Sequence, residues 1–255
     1  MPCGALYKFT FTASNRERAF GTSYENVTFV RLSEQDTEWL RFARELSNSK
    51  PFHVERYSDE NERDVFLAMG AKTSTPYIAL REDRPVGYVC ANGDGKNITE
   101  IRAYNTADFM DLVCAWQAEQ GKTITVPAAP YMPQEFAALA ACAQDMTLVS
   151  PSRFKIMNRE KLCNALMKLA AETRVLPVGE QIIRIEDYGV LRFFVDETGA
   201  GCERADDRSW SVSLQKNRAA AVLFGPFHPD LTMPNQPELR QWFPLPLSWD
   251  VLDYV

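Results

Sequence analysis

The feature that most constrains the fold is a strand, helix and strand that follow one another in the middle of the chain. Residues 98–103 (ITEIRA) predict a strand, residues 107–120 have apolar side chains at helical spacing, and residues 122–127 (KTITVP) predict a second strand. Two strands of one sheet that are joined through a helix run parallel, because the helix returns the chain to the end where the first strand began. The chain therefore contains a layer of mixed α/β type.

Three further strands and a helix surround these elements in the sequence. Residues 77–81 and 86–91 are rich in β-forming side chains and are separated by a short polar turn, which predicts an antiparallel hairpin. Residues 26–32 alternate apolar and polar positions and predict a strand, whereas the alanine-rich residues 134–143 predict a helix. We therefore predict a mixed sheet with helices on its faces.

Residues that cap the backbone mark the ends of several helices. Ser33 and Ser58 each precede an apolar helical pattern and predict helix starts, as does Asn158 in the second half of the chain. Gly121 follows the helix at residues 107–120 and predicts its end. These positions divide the helical stretches into separate elements of ordinary length.

The sequence divides into two domains near residue 150. The Ser-Pro-Ser triplet at residues 150–152 interrupts the regular pattern, and 255 residues exceed the length of a typical single domain. We predict one domain over residues 1–150 and another over residues 151–255, and an α/β (α+β) fold class for the whole. In the second domain the patterns predict a helix at 157–171, strands at 181–186, 189–195 and 210–214, and a helix at 215–224.

The end of the chain combines prolines with large apolar side chains. Six prolines between residues 226 and 246 exclude a long helix or a central strand. The same stretch carries Trp242, Phe243 and Leu245, and a disordered tail would not hold so many apolar groups. We therefore predict an ordered tail whose apolar side chains are buried.

Charge and cysteine usage oppose several kinds of function. The formal net charge is −6 and the pI is near 5.2, which opposes nucleic acid or an anionic membrane as a partner. No apolar run is long enough to span a membrane and the sequence starts without a secretory signal, so we expect a soluble cytoplasmic protein. The six cysteines lie far apart, without a C-x-x-C pair or a histidine at ligand spacing, so we expect neither a metal site nor a disulfide framework.

Four short sequences in the first domain occur in the order and spacing of a known family. They are HVER at residues 53–56, PYIA at 76–79, PVGY at 85–88 and ITEI at 98–101. Through them residues 24–149 resemble the degenerate second repeat of tandem GNAT acetyltransferases of the enhanced-intracellular-survival type. Chains of that family have a catalytic GNAT repeat, a degenerate GNAT repeat and a sterol carrier protein-like domain. The resemblance implies that the catalytic first repeat is missing from this sequence.

The second domain resembles the last part of the same family. FKIMNR at residues 154–159 leads into a helix, and AVLFG at 221–225 and LDYV at 252–255 are similar to parts of the sterol carrier protein-like domain. The resemblance extends over residues 153–255 and implies an α+β domain there. Residues 1–21 have the position of the last strand of a first repeat.

The resemblance also identifies the segment that would bind acetyl-CoA. Active GNAT domains hold the pyrophosphate in a Q/R-x-x-G-x-G/A loop, through backbone N–H groups and the start of the following helix. At the corresponding place this sequence has RAYNTA, residues 102–107, with no glycine. Because Cβ atoms obstruct the close backbone approach that glycine allows, we expect this chain to bind no acetyl-CoA in the usual way.

Glu100, His53 and His228 are the side chains whose chemistry suits proton transfer. Glu100 lies in the middle of a predicted strand and is a candidate general base for an amine. Charged residues of an alternating strand also occupy its solvent face, and this is the interpretation that we adopt for Glu100. Neither histidine lies in a motif with a nucleophile, so both are interpreted as structural. Solvated turn carboxylates are predicted for Asp187, Asp196, Asp206 and Asp207.

Tyr254 and Val255 are the candidate catalytic contribution of this chain. In the family that it resembles, the terminal carboxylate enters the active site of the catalytic repeat and takes part in proton transfer, with a tyrosine of that repeat as the general acid. Here Val255 replaces the usual aromatic end. Two alternatives stay open: the two residues pack against their own chain, or they complete a site that another chain contributes.

Three functions stay open on the sequence alone. The chain is an accessory scaffold of an N-acetyltransferase, with a separate catalytic GNAT chain or a second copy of itself as its partner. Alternatively, it binds a small or lipid-like molecule in a pocket lined by Phe193, Phe194, Trp210 and the aromatic residues of the tail. A third alternative is an active, unconventional N-acetyltransferase, for which acetyl-CoA would be the cofactor.

Overall fold

The chain forms two compact units. Described residues between 6 and 148 form one unit, and residues 2–3 with those between 149 and 247 form the other. The computed structural model describes residues 2–3, 6–19, 23–51, 53, 55–57, 62–70, 73–129, 132–149, 152–153, 156–225, 235 and 237–247. Within these ranges, no helix is long and apolar enough to cross a membrane.

Strands and helices alternate along much of the described chain. The strands are β1 (Pro2–Cys3), β2 (Leu6–Phe11), β3 (Val27–Arg31), β4 (Thr75–Arg81), β5 (Arg84–Ala91), β6 (Ile98–Ala103), β7 (Ile124–Ala128), β8 (Asp145–Val149), β9 (Ser152–Arg153), β10 (Gly179–Ile185), β11 (Gly189–Asp196), β12 (Gly199–Arg204) and β13 (Val212–Leu214). The α-helices are α1 (Ala13–Arg16), α2 (Thr37–Asn48), α3 (Arg63–Ala68), α4 (Thr106–Gln120), α5 (Pro133–Cys142), α6 (Arg159–Thr173) and α7 (Lys216–Phe224). Short 3-10 helices lie at Ser23–Asn26 and Pro237–Gln241.

The unit of residues 6–148 has a four-stranded sheet of order β3-β4-β5-β6 in which every neighbouring pair is antiparallel. The predicted hairpin is confirmed as β4 and β5. Its two turn residues, Glu82 and Asp83, have φ angles of 51° and 62°, the left-handed values that such tight turns require. The sequence predicted a turn of four residues, 82–85, whereas the turn in the structure consists of Glu82 and Asp83.

The same unit has a second, three-stranded sheet of order β7-β2-β8. Strand β2 runs antiparallel to β7, from the pair Tyr7 and Ala128 to the pair Phe11 and Ile124. The predicted parallel contact between the strands at either end of α4 is limited to one bridge, between Asn97 and Thr125. Strands β6 and β7 thus touch where they begin and belong to different sheets.

Helix α4 forms the centre of this unit. Each of its residues from 109 to 117 is buried, and the helix packs on a core that includes Phe9, Phe11 and Val89. A second apolar cluster lies under α2 and α3 and includes Leu40, Met69 and Tyr88. The two clusters contain side chains that alternate along β5, so they cover opposite faces of the four-stranded sheet.

The unit of residues 149–247 has a four-stranded sheet of order β12-β11-β10-β13. Strands β10 and β13 are parallel, whereas β10, β11 and β12 form antiparallel pairs. Its core joins the buried sides of α6 and α7 to the sheet and to Leu239, Trp242, Phe243 and Leu245 of the tail. The prediction that the tail buries apolar side chains is confirmed for these residues, while residues 226–234 and 248–255 lie outside the described ranges.

The predicted helix ends meet different outcomes. Asn158 caps α6, because its Oδ1 atom accepts a hydrogen bond from the Lys161 N–H at 2.9 Å, and Gly121 ends α4 with a φ of 59°. The helix start at Ser33 is wrong, since α2 begins at Thr37. The Ser33 N–H and hydroxyl instead donate to the Asp36 carboxylate at 2.7 and 2.8 Å, which forms a turn before the helix. Ser58 lies outside the described residues.

Candidate functional site

A buried group of polar side chains lies on the sheet of the unit of residues 6–148. We call Arg56, Tyr88 and Glu100 the Glu100 cluster. Their exposed fractions are 4%, 0% and 1%. Arg56 donates two hydrogen bonds to the carboxylate, at 2.7 Å from Nη2 to Oε2 and 3.1 Å from Nη1 to Oε1. The Tyr88 hydroxyl donates to Glu100 Oε1 at 2.5 Å and accepts from Arg56 Nη1 at 3.1 Å.

The strand pairing explains how these side chains meet. Tyr88 lies opposite Arg102 and Cys90 lies opposite Glu100 in the antiparallel pair of β5 and β6. Alternate residues of a strand share a face, so Tyr88, Cys90, Glu100 and Arg102 all point to the face that α2 and α3 cover. Arg56 comes to this face from the segment between those two helices. The interpretation of Glu100 as a solvent-facing charge is therefore wrong.

The electrostatics of the cluster hold Glu100 as a carboxylate. Burial raises the pKa of its carboxyl, but the charges of Arg56 and Arg102 and the hydrogen bonds from Arg56 and Tyr88 outweigh burial and leave the pKa below its ordinary value. Burial, with the charge of Glu100, raises the pKa of the Tyr88 phenol well above its ordinary value. A general base has to accept a proton near neutral pH and to reach its substrate. Glu100 in this arrangement does neither.

The start of α4 is the place where a GNAT domain would hold pyrophosphate. Asn105 caps the helix, with its Oδ1 atom accepting from the Asp108 N–H at 2.9 Å and its Nδ2 donating to Asp108 Oδ2 at 2.8 Å. Arg81, the last residue of β4, donates to Asp108 Oδ1 at 2.8 Å and to Asp111 Oδ2 at 2.6 Å. The Asp108 carboxylate therefore occupies the positive end of the helix dipole.

An incoming phosphate would meet two obstacles at this helix start. The first is charge, because Asp108 and Asp111 repel an anion while Arg81 is already bound to both. The second is shape, because residues 102–107 have a Cβ atom at every position. Both features disfavour an anion at this segment, and the expectation that the chain binds no acetyl-CoA in the usual way stays a prediction.

Lys50, which follows α2, contacts the end of β6. Its Nζ donates to the carbonyl oxygens of Ala103 and, at 3.2 Å, Tyr104. Burial lowers the pKa of this ammonium, with the charge of Glu135 acting in the opposite direction. His53 is exposed and its Nδ1 lies within hydrogen-bond distance of the Lys50 carbonyl oxygen, so His53 contacts backbone and no nucleophile there. His228 lies outside the described residues.

The aromatic residues proposed to line a pocket in the second unit do not come together. Phe193 is buried and packs edge-on against Phe243 at a ring distance of 5.0 Å. Phe194 follows it on β11 and faces the other side of the sheet, where the Arg192 guanidinium lies 4.7 Å from its ring. Trp210 is 44% exposed and stacks with Arg184 at 4.7 Å. These side chains are parts of the core and of the sheet surface and do not line one cavity.

The remaining candidate residues lie in turns or outside the described ranges. Asp196 accepts hydrogen bonds from Thr198, and Asp206 pairs with Arg204 at 2.8 Å. Across the part of the chain given above, no three His, Cys, Asp or Glu side chains lie together as a metal site would require. Tyr254 and Val255 lie outside the described residues, so their role stays a prediction.

The sequence interpretation missed Arg56, Tyr88, Arg81 and Asp108. Two charged residues two positions apart on one strand, as Glu100 and Arg102 are, share a face, and this is a signal of a buried pair that we did not use. An Asn followed three residues later by an Asp, as in residues 105–108, is a helix-start signal. The partners Arg56 and Arg81 have no comparable local signal.

Comparison with known proteins gives structural likeness alone. No protein-family model matches the sequence, and no curated protein matches it. Among solved structures, the chain is similar to a probable N-acyltransferase of unknown function from Enterococcus faecalis, with 13% identity and a TM-score of 0.54 over 90% of this chain and 59% of that one. Similar values hold for a GCN5-related N-acetyltransferase from Anabaena variabilis, with 11% identity and a TM-score of 0.51 over 98% of this chain and 66% of that one.

A third similar structure is Eis1 from Mycobacterium abscessus, with 14% identity and a TM-score of 0.51 over 97% of this chain and 66% of that one. The chain thus spans between 59% and 66% of the length of these three proteins. At such low identity the likeness concerns the fold. This chain has a mixed α+β fold of the GNAT type, with antiparallel sheets flanked by helices.

Proposed function

We propose that this chain is an accessory part of a GNAT-type N-acetyltransferase and does not bind acetyl-CoA itself. The observation that carries the proposal is the start of α4, where Asn105, Asp108, Asp111 and Arg81 are bound to one another in the place of a pyrophosphate. The Glu100 cluster adds support, because Glu100, the candidate general base, is buried and ion-paired. This chain would then act as a scaffold, and another polypeptide would bind acetyl-CoA and catalyse acetyl transfer.

The partner in this proposal is a separate catalytic GNAT chain, with self-association as the alternative. The GNAT-type fold supports a partner of this class, because the similar structures include a GCN5-related N-acetyltransferase. We propose that residues 151–255 form a sterol carrier protein-like domain, consistent with one sheet covered by α6 and α7. We propose further that Tyr254 and Val255 reach the partner's site and that the complex is cytoplasmic.

Calorimetric titration of the purified chain with acetyl-CoA and CoA tests the proposal. No saturable heat is expected up to millimolar ligand, with an active GNAT enzyme measured beside it as the positive control. Native mass spectrometry of the chain purified from its own host is expected to show a second polypeptide, and the mixture should bind acetyl-CoA. A saturable isotherm or acetyl transfer by the isolated chain would establish the active alternative and overturn the accessory role.

Native mass spectrometry also tests the alternative of ligand binding. A small or lipid-like molecule that stays with the chain and leaves on denaturation would favour a binding module. The dispersal of Phe193, Phe194 and Trp210 over both faces of the sheet and its edge leads us to expect protein mass alone.

A further inference from the structure

Two cysteines from different elements meet inside the unit of residues 149–247. Cys163 lies in the first half of α6 and Cys202 lies in the middle of β12. Both side chains belong to the core of this unit, with exposed fractions of 0% and 4%, and both are free thiols. A covalent bond between them would connect a helix to the strand at the edge of the sheet.

The backbones around the two cysteines are held close together. The Asn164 Oδ1 atom accepts a hydrogen bond from the Cys202 N–H at 3.1 Å. Because Asn164 directly follows Cys163, this bond fixes the helix beside one cysteine against the backbone of the other. Gly201 makes the approach possible, since a Cβ atom at that position would lie only 3.0 Å from the same Asn164 oxygen.

The two thiols also interact with each other. A hydrogen bond with the Cys163 side chain, together with burial, raises the pKa of the Cys202 thiol, so Cys202 keeps its proton. Cys114 and Cys142 share a core in the other unit, but the Cys142 thiol donates to the Ala138 carbonyl oxygen of its own helix at 3.2 Å. That second pair therefore provides a comparison within the same molecule.

The position of β12 gives a small molecule a way to reach the thiols. β12 is the outermost strand of the order β12-β11-β10-β13, and Asn164 of α6 binds the N–H that β12 directs away from the sheet. A strand with one paired neighbour opens locally at a lower free energy than a central strand. Such opening would expose both sulfurs, and closing would bring them together again.

We propose that Cys163 and Cys202 form a site of reversible oxidation, at which a peroxide converts the two thiols into a disulfide that ties α6 to β12. The Cys163 sulfur attacks one peroxide oxygen and breaks the O–O bond, which gives a sulfenic acid and a first water. The Cys202 sulfur then attacks the sulfenic sulfur, and the hydroxyl group leaves with the Cys202 proton as a second water. The two sulfurs together lose the two electrons that the peroxide gains. The inference does not depend on the proposed accessory function, because it concerns the other unit.

Tryptic peptide mapping of the full chain, after treatment with millimolar hydrogen peroxide and alkylation of the remaining thiols, tests the proposal. Cleavage places Cys163 in residues 162–168 and Cys202 in residues 193–204, with no other cysteine in either peptide. We expect these two peptides as one cross-linked species that a dithiol reductant separates. The Tm of the unit should rise by about 5–10 °C, because the cross-link restricts the unfolded chain.

Cys202→Ser and Cys142→Ser are the matched variants. Cys202→Ser should lose both the cross-link and the rise in Tm, whereas Cys142→Ser should keep both. Cys163→Ser provides the same test if Cys202→Ser does not fold. A wild-type chain that stays reduced under peroxide, or that forms cross-links spread over several cysteines, would overturn the proposal, as would over-oxidation of Cys163 without a bond to Cys202.

Discussion

The unit of residues 6–148 buries charged side chains beside its sheet, whereas the unit of residues 149–247 keeps its ion pairs near solvent. In the first, the paired side chains of Arg56 and Glu100 are 3% and 0% exposed. In the second, those of Arg208 and Glu180 are 47% and 44% exposed. The core of the second unit is made of aliphatic, aromatic and thiol side chains.

This difference teaches which forces hold each unit in its shape. A buried ion pair adds little stability compared with apolar packing. Removal of one partner nevertheless costs several kcal/mol, because the other charge stays buried without a counter-charge. A solvated pair costs little to form and little to lose. Single substitutions of charged residues should therefore act strongly in the first unit and weakly in the second, and substitutions of aromatic residues should act in the second unit without any dependence on pH.

The largest effect is expected for Glu100→Gln. The substitution keeps the shape of the side chain and removes the negative charge that Arg56 and Arg102 face, so the free energy of unfolding of this unit should fall by about 3–5 kcal/mol near neutral pH. Hydrogen exchange of the β5 and β6 amides measures this unit by itself. A loss below about 1 kcal/mol would mean that water reaches the cluster, and the contrast between the two units would lose its basis.

Acidification should remove most of that difference. The folded pKa of Glu100 lies below the unfolded value of 4.5, so its ionisation stabilises the fold above that pH and the contribution disappears as pH falls through the folded pKa. Exchange-derived stabilities of the wild type and Glu100→Gln should stay a constant distance apart between pH 5 and 7 and then converge below about pH 4.5. A gap that widens on acidification would show that the carboxyl is protonated at neutral pH.

A smaller loss, independent of pH, is expected for Phe243→Leu in the second unit. Phe243 is fully buried against Phe193, and the shorter side chain removes apolar contact and leaves a small cavity. The free energy of unfolding should fall by about 1–2 kcal/mol, as measured by the exchange of the β10 and β11 amides. An unchanged value would indicate that the tail does not contribute to this core.

Asn105→Ala should weaken the start of α4 by about 1 kcal/mol, because the Asp108 N–H loses its side-chain acceptor. Exchange of the first amides of α4 is the measurement. Asn105→Ser, which keeps an uncharged acceptor at the cap, is the matched control, and it should keep most of the stability. Equal losses in both variants would show that the cap does not act through this hydrogen bond.

The smallest effect is expected for Glu203→Gln on the exposed face of the second unit. Glu203 accepts from Arg192 at 2.8 Å, but its side chain is half exposed and water can replace the bond. The change in the free energy of unfolding should stay below about 0.5 kcal/mol and should vanish at high salt. A loss comparable to that of Glu100→Gln would remove the distinction between the two units.

Local signals in the sequence predicted most of the secondary structure. The hairpin β4–β5, the helix α4 with Gly121 at its end and the cap Asn158 all follow from patterns within a few residues. Strand β12 was missed because GAGCER offers few β-forming side chains, and its pairing with β11 decides its structure. Ser33 was misplaced as a helix start because its hydroxyl donates to Asp36 in a turn that precedes α2, and the helix begins about one turn later than predicted, at Thr37.

The candidate site was much less predictable than the fold. The absence of glycine in residues 102–107 drew attention to the start of α4, yet the contact of Arg81 there is with Asp108, 27 residues away in the chain. Glu100 was recognised and placed on the wrong face, because its partner Arg56 lies 44 residues before it. Pairing across such separations depends on the assembled sheet, and a single sequence contains no local signal for it.

The insertion of β2 between β7 and β8 has a consequence for synthesis on the ribosome. Thr10 and Asp145, whose side chains hydrogen bond at 2.7 Å, are 135 residues apart. During synthesis both edges of β2 therefore stay unpaired until β7 and β8, near the end of the unit, have left the exit tunnel. Loop closure over that distance is slow, and nascent chains of this protein should engage chaperones until the late strands arrive.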